Sequence, residues 1–148
     1  MTENKTNFLA FPGVEGSIVV FGSGYGMRAF GIAQWVHRLP LYYWGDIDTH
    51  GFAILNELRS VFPHAQSFLM DRETLFNHQD SWTTELAPVK HSLKLLDPDE
   101  RALFMELQSG APREGIRLEQ EKVSFSQLKS TLDYLRQSED LAHNLRGG

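Results

Sequence analysis

The stretch Leu41-Tyr42-Tyr43-Trp44-Gly45-Asp46-Ile47-Asp48-Thr49-His50-Gly51 most constrains what this chain can fold into. An apolar run ends in two aspartates one residue apart, and a Thr and a Gly follow that can open a helix. In a strand, residues i and i+2 point to the same face, roughly 7 Å apart along the backbone. Asp46 and Asp48 then present two carboxylates side by side where strand gives way to loop. That strand end is also where open parallel sheets bind ligands. Hard cations such as Mg²⁺ take one or two carboxylates from protein and keep waters and substrate phosphates. The segment therefore points to a metal site for phosphate chemistry. A plainer reading stays open beside it: Asp48 or Thr49 caps the helix that starts near Gly51.

The surrounding pattern alternates strand and helix. Ser17-Ile18-Val19-Val20-Phe21 has the pattern of a short buried strand, closed by the turn Gly22-Ser23-Gly24-Tyr25-Gly26. Met27 to Leu39 carries Ile32, Val36 and Leu39 at helical spacing. Leu41 to Trp44 is the next strand. Phe52, Leu55, Leu58 and Phe62 mark an amphipathic helix that stops at Pro63. Gln66 to Met70 is a third strand, and Asp71 caps a helix starting near Arg72. This order predicts a parallel α/β sheet flanked by helices. The second half is more helical. Asp97-Pro98-Asp99-Glu100 starts a helix through Leu107, and Ser126 caps a final helix with Leu128, Leu132 and Leu135 on one face. Between them, Arg117 to Glu121 is ambiguous between strand and helix.

Other candidate residues are weaker alone. Glu3, Glu119 and Glu121 have the ordinary profile of surface acids. The Gly22–Gly26 turn can offer backbone N–H groups to a phosphate, but it lacks the Walker lysine and full dinucleotide spacing, and a plain tight turn fits it as well. His50, beside the acidic pair, has either a phosphate or solvent to face.

Composition narrows the classes. The 148 residues suit one domain. No apolar run approaches the ~20 residues that span a membrane, and zero cysteines exclude disulfides and thiolate metal sites; a cytoplasmic protein is expected. The net charge of −5 is unlike that of an isolated nucleic-acid-binding domain. If the chain works on DNA, a metal, a further domain or a partner must neutralise most of the phosphate charge.

Taken together, these segments resemble the Toprim domain, in the branch that holds the topoisomerase VI A subunit and the C-terminal nuclease domain of JetD from Wadjet plasmid-defence systems. Tyr43 to Leu55 is similar to the metal motif and the helix after it, with Thr49 where the topoisomerase group often carries proline. Glu3-Asn4-Lys5 resembles the opening acidic motif, and Phe21 to Tyr25 the glycine turn. Ser67 to Leu75 and Arg117 to Glu121 also look like JetD. The resemblance implies a Toprim-like, Rossmann-like fold over residues 1–148 and a Mg²⁺- or Mn²⁺-dependent DNA endonuclease. It implies an acid/base and metal role for Glu3, metal ligation by Asp46 and Asp48, and a fourth acid in Glu119. Expected partners are DNA, an SMC-type Wadjet complex acting on closed circular DNA, and a second copy in a homodimer, with no membrane. Only Met1 and Thr2 precede Glu3, so the first strand of that fold is expected to be largely missing and the chain to be a C-terminal fragment of a longer protein.

Two rivals remain. A haloacid-dehalogenase-like phosphatase also uses strand-Asp-x-Asp-x-Thr, with Asp46 as nucleophile, although its later acidic pair is not evident. An inactive interaction module suits the acidic charge and the missing strand.

Overall fold

The computed structural model describes residues 1–22 and 30–146, with residues 140–146 as backbone only. It is a mixed α/β structure with short strands and, among the described residues, five α-helices.

Four segments run parallel side by side. Thr2 bridges Phe21 on one flank and Trp44 on the other. The strand β1 (Tyr42–Tyr43) pairs in parallel with β2 (Gln66–Ser67). The bonds are regular: Thr2 N to Val20 O at 2.9 Å, Gly22 N to Thr2 O at 2.9 Å, Trp44 N to Met1 O at 3.0 Å, and Phe68 N to Tyr43 O at 3.1 Å. Met1 and Thr2 thus lie at the centre of this array, and Thr2 is fully buried. A second sheet pairs β3 (Thr83–Thr84) antiparallel with β4 (Ile116–Arg117).

The helices follow their local signals. After α1 (Lys5–Ala10), α2 (Thr49–Val61) buries Phe52, Leu55 and Leu58, and Phe62 closes it before Pro63. Each such side chain contributes about 1.5–3 kcal/mol on burial. Asp71 caps α3 (Arg72–Asn77), its Oδ1 accepting from Thr74 N at 2.7 Å. The helix α4 (Pro98–Ser109) opens on the Asp97/Glu100 capping box and ends at Gly110, whose φ of 77° is left-handed. It packs on α2 through Phe52 and Phe104, with ring centroids 6.3 Å apart. The long α5 (Phe125–Arg146) seats Leu128, Leu132 and Leu135 against the core.

Four expectations need correction. Ser17 and Ile18 are exposed, Ile18 at 69%, so the first apolar run is not a buried strand; only its end, near Phe21, joins the sheet. Of the helix expected over Met27 to Leu39, residues 27–29 lie outside the described residues. The rest makes tight turns, Ala33 N to Phe30 O and Val36 N to Ala33 O, around a 3₁₀ turn at Val36–Arg38. Gly31 disfavours a continuous helix there, and Ile32 is 80% exposed. The strand expected to reach Met70 stops early because Leu69 adopts a φ of 54°, a conformation no strand contains. Finally, Ser124 rather than Ser126 caps α5, its Oγ accepting from Gln127 N at 3.2 Å.

Candidate functional site

Backbone pairing gathers the acids. Ile47 pairs antiparallel with Leu118, through Ile47 N to Leu118 O at 2.9 Å and Leu118 N to Ile47 O at 3.1 Å. Side chains alternate along extended chain. Asp46 and Asp48, flanking Ile47, therefore meet Arg117 and Glu119, flanking Leu118, on one face. The i, i+2 logic read from the sequence holds, but it operates in this short ladder beyond the end of β1. Two glycines permit the approach. A Cβ on Gly45 would lie 2.5 Å from the Tyr43 hydroxyl, and one on Gly51 would lie 2.1 Å from the carbonyl oxygen of Asp46.

Asp46 is held at both oxygens. Oδ2 accepts from Arg117 Nη2 at 2.6 Å and Nε at 3.2 Å, and Oδ1 accepts from Gln120 N at 2.8 Å. Asp48 is both a helix cap and a member of the cluster. Its Oδ1 accepts from Gly51 N at 2.7 Å, while Oδ2 lies 3.3 Å from Arg117 Nε. Burial pushes the Asp48 carboxyl up to about 6; the Gly51 N–H and Arg117 oppose this, and the charges of Glu85 and Asp46 add to it. Glu3 follows directly on the buried Thr2 and faces the same cavity. Its Oε1 is buried without a hydrogen-bond partner, and a Cβ on Gly22 would lie 2.7 Å from it. Burial, then the charge of Asp46, raises this carboxyl to about 7 against the opposing pull of the Met1 amino group. Glu119 joins more loosely, 3.6 Å from Arg117 Nη2. Glu121 points elsewhere, accepting from Asn4 Nδ2 at 3.0 Å.

Three contributors were not singled out from the sequence. Arg117 alternates with Glu119, and that spacing is the signal that could have found it. Tyr43 is fully buried and contributes to the cavity wall, and its hydroxyl has no hydrogen-bond partner. Burial and the charges of Glu3, Asp46 and Asp48 hold its ionisation well above the usual range. Glu85 had no local signal. It reaches the N-terminus of α2 from a distant strand end, accepting from Thr49 Oγ1 at 2.7 Å and from Thr49 N and His50 N at 3.2 Å each. His50 turns partly to solvent and bonds the Ala87 carbonyl at 2.9 Å. In the glycine turn, Ser23 to Gly26 lie outside the described residues.

The result is a cavity of about 400 Å³ lined by Glu3, Asp46, Asp48 and Glu85, with Tyr43 in its wall and Arg117 as its only Arg or Lys among the described residues. Its chemistry is that of hard oxygen donors. Among the described residues, no three acids or histidines stand close enough to share one ion. That excludes a closed cage of protein ligands in this arrangement. The acids expected as a metal set, Glu3, Asp46, Asp48 and Glu119, are therefore not gathered around one point; an ion of the Mg²⁺ type, which keeps its waters, would need only one or two of them. The unpartnered Glu3 Oε1 and Tyr43 hydroxyl are polar atoms that such waters would satisfy.

No helix among the described residues is long and apolar enough to cross a membrane. A search of curated proteins returned no match. The family described as Wadjet protein JetD, C-terminal, matches residues 1–132, and the chain belongs to that family.

Proposed function

We propose that this chain is a metal-dependent DNA endonuclease domain with a Toprim-like fold. Its family ties it to a Wadjet defence system; the nuclease reading goes further. The observation that carries it is the convergence of two separate segments, one bearing Glu3 and the other Asp46 and Asp48, on one cavity. Asp46 and Asp48 would hold Mg²⁺ or Mn²⁺, and Glu119, 3.6 Å from Arg117, would be a further acid near them. A bound ion supplies charge neutralisation at the scissile phosphate and a polarised attacking water. Gln120 N fixes the orientation of Asp46, and Gly51 N that of Asp48. Glu3, raised to about 7, is suited to accept and return a proton near neutral pH. DNA, an SMC-type complex and a second copy of the chain are the proposed partners; of these, the SMC-type complex would have to bring the positive charge toward DNA that a chain of net charge −5 lacks.

A phosphatase would need Asp46 as a nucleophile. Its Oδ2 instead accepts from Arg117 and its Oδ1 from Gln120 N, so in this arrangement neither oxygen stands free to attack. The deciding experiment is closed-plasmid cleavage by the protein with its Wadjet partners in Mg²⁺, Mn²⁺ or EDTA, for wild type and Asp46→Ala. Cutting that needs metal and is lost in the variant is expected. Cutting that survives Asp46→Ala refutes the site. An inert interaction module predicts no cutting in any condition.

A further inference from the structure

We infer that Arg117 is the resident cation of the acidic cavity, and that a divalent ion must take Asp46 and Asp48 from it in order to bind. This rests on the metal-site reading above and concerns what sets the affinity of that site.

The argument is one of charge and place. Four carboxylates line the cavity, and among the described residues Arg117 is the only Arg or Lys that joins them. Like charges so gathered need a counter-ion. Arg117 supplies it from the centre of the cluster: 2.6 Å from Asp46 Oδ2, 3.3 Å from Asp48 Oδ2 and 3.6 Å from Glu119 Oε1. One guanidinium thus spans the same two oxygens that an ion would use. Their other oxygens are bound to backbone, Asp46 Oδ1 to Gln120 N and Asp48 Oδ1 to Gly51 N. Each of these oxygens already gives one lone pair to a backbone N–H, which fixes its carboxylate with Oδ2 turned to Arg117. Arg117 is also half-exposed, at 37% for its side chain, so it has room to swing outward, whereas the two aspartates are fixed at their backbone ends.

A purely structural ion pair has a different consequence. If Arg117 only braced β4, its removal would loosen the carboxylates and weaken metal binding. If it competes with metal, its removal strengthens metal binding, because the ion no longer has to displace a cation and no longer feels its repulsion.

The test is a Mn²⁺ titration of the whole chain, with free Mn²⁺ read by electron paramagnetic resonance, for wild type and Arg117→Gln. The variant is expected to bind roughly tenfold more tightly or better, as loss of a unit charge within a few ångströms implies. Equal or weaker binding by the variant overturns the inference and leaves the metal site standing. Failure of both proteins to bind Mn²⁺ overturns the metal site and the inference with it. If Arg117→Gln does not fold, wild type alone decides. On adding Mg²⁺, the Arg117 Nε–H signal in a proton–nitrogen spectrum is expected to lose its protection from hydrogen exchange. Retained protection at Mg²⁺ saturation, with saturation established by shifts of the Asp46 and Asp48 carboxyl carbons, overturns displacement. Absence of those carboxyl shifts overturns the metal site itself.

Discussion

Asp48 serves two purposes with its two oxygens, and one substitution separates them. Oδ1 caps α2 at Gly51 N, while Oδ2 faces Arg117 and the cavity. Asn caps a helix about as well as Asp, so Asp48→Asn keeps the cap and removes a buried charge. Without metal, burial first and then the charges of Glu85 and Asp46 put that carboxylate at a net cost, which raises its carboxyl to about 6. In EDTA at neutral pH, Asp48→Asn should be as stable as wild type or up to about 1 kcal/mol more stable. With Mg²⁺, wild type should gain stability and the variant should not. Four melting curves check this, and equal Mg²⁺ responses would remove Asp48 from the ligand set. Gly51 is a simpler case. Its added Cβ would fall 2.1 Å from the Asp46 carbonyl oxygen, so Gly51→Ala should cost about 2–3 kcal/mol or more in chemical denaturation. At this scale the sequence was legible where chemistry is local. The Asp-x-Asp spacing does put both carboxylates on one face, toward Arg117, and the caps at Asp71 and Asp97 form as read. Glu85 and Tyr43 were not legible, because their roles depend on what folding brings against them.

At the scale of elements, the helices were more legible than the strands. The helices α2 and α4 declare themselves by caps and by apolar spacing, and both formed as expected. Strands here are two residues long, shorter than any alternation that periodicity can register. Their pairing comes from packing, as the place of Thr2 between Phe21 and Trp44 illustrates. What ties α2 to its neighbours was not visible in the sequence at all. Glu100, the inner member of the α4 capping box, also accepts from both terminal nitrogens of Arg59 on α2 and from Ser67 of β2. Both charges are nearly buried, with side chains 10% and 5% exposed, and these bonds hold the Glu100 carboxyl below its usual range despite burial. Glu100→Ala removes the return half of the capping box, from Asp97 N, and leaves the nearly buried Arg59 charge without its carboxylate. A loss of about 3 kcal/mol or more is expected, measured by denaturant unfolding. A loss below about 1 kcal/mol would mean that Arg59 finds solvent and the three elements are not joined through this pair.

For the whole molecule, the acidic cavity should show itself as an unusual dependence of stability on pH. Ordinary carboxylates held by partners stabilise a fold as pH rises. Glu3 and Asp48 act in the opposite sense. Their folded values are raised, from 4.5 to about 7 and from 3.8 to about 6. Between the unfolded and folded values the native state binds more protons than the unfolded chain, so stability falls as pH rises through that range. Two other groups bound the useful window. Glu100 is lowered, so its contribution is lost only as pH falls below the ordinary carboxylate range. The Met1 amino group is lowered to about 6, so it adds stability as pH rises from about 6 to 8. From roughly pH 5 to pH 6, the slope therefore belongs to Glu3 and Asp48. In EDTA, melting temperature should decline across that interval. Saturating Mg²⁺ should flatten or reverse the decline, because the ion binds the deprotonated carboxylates and so favours the form that burial disfavours. Asp48→Asn should make the EDTA slope shallower by removing one of the two groups. A metal-free melting temperature that rises steadily from pH 5 to pH 6 would show that these carboxyls are solvated in the native protein, and that the cavity does not hold its acids under the strain on which the proposed metal site depends.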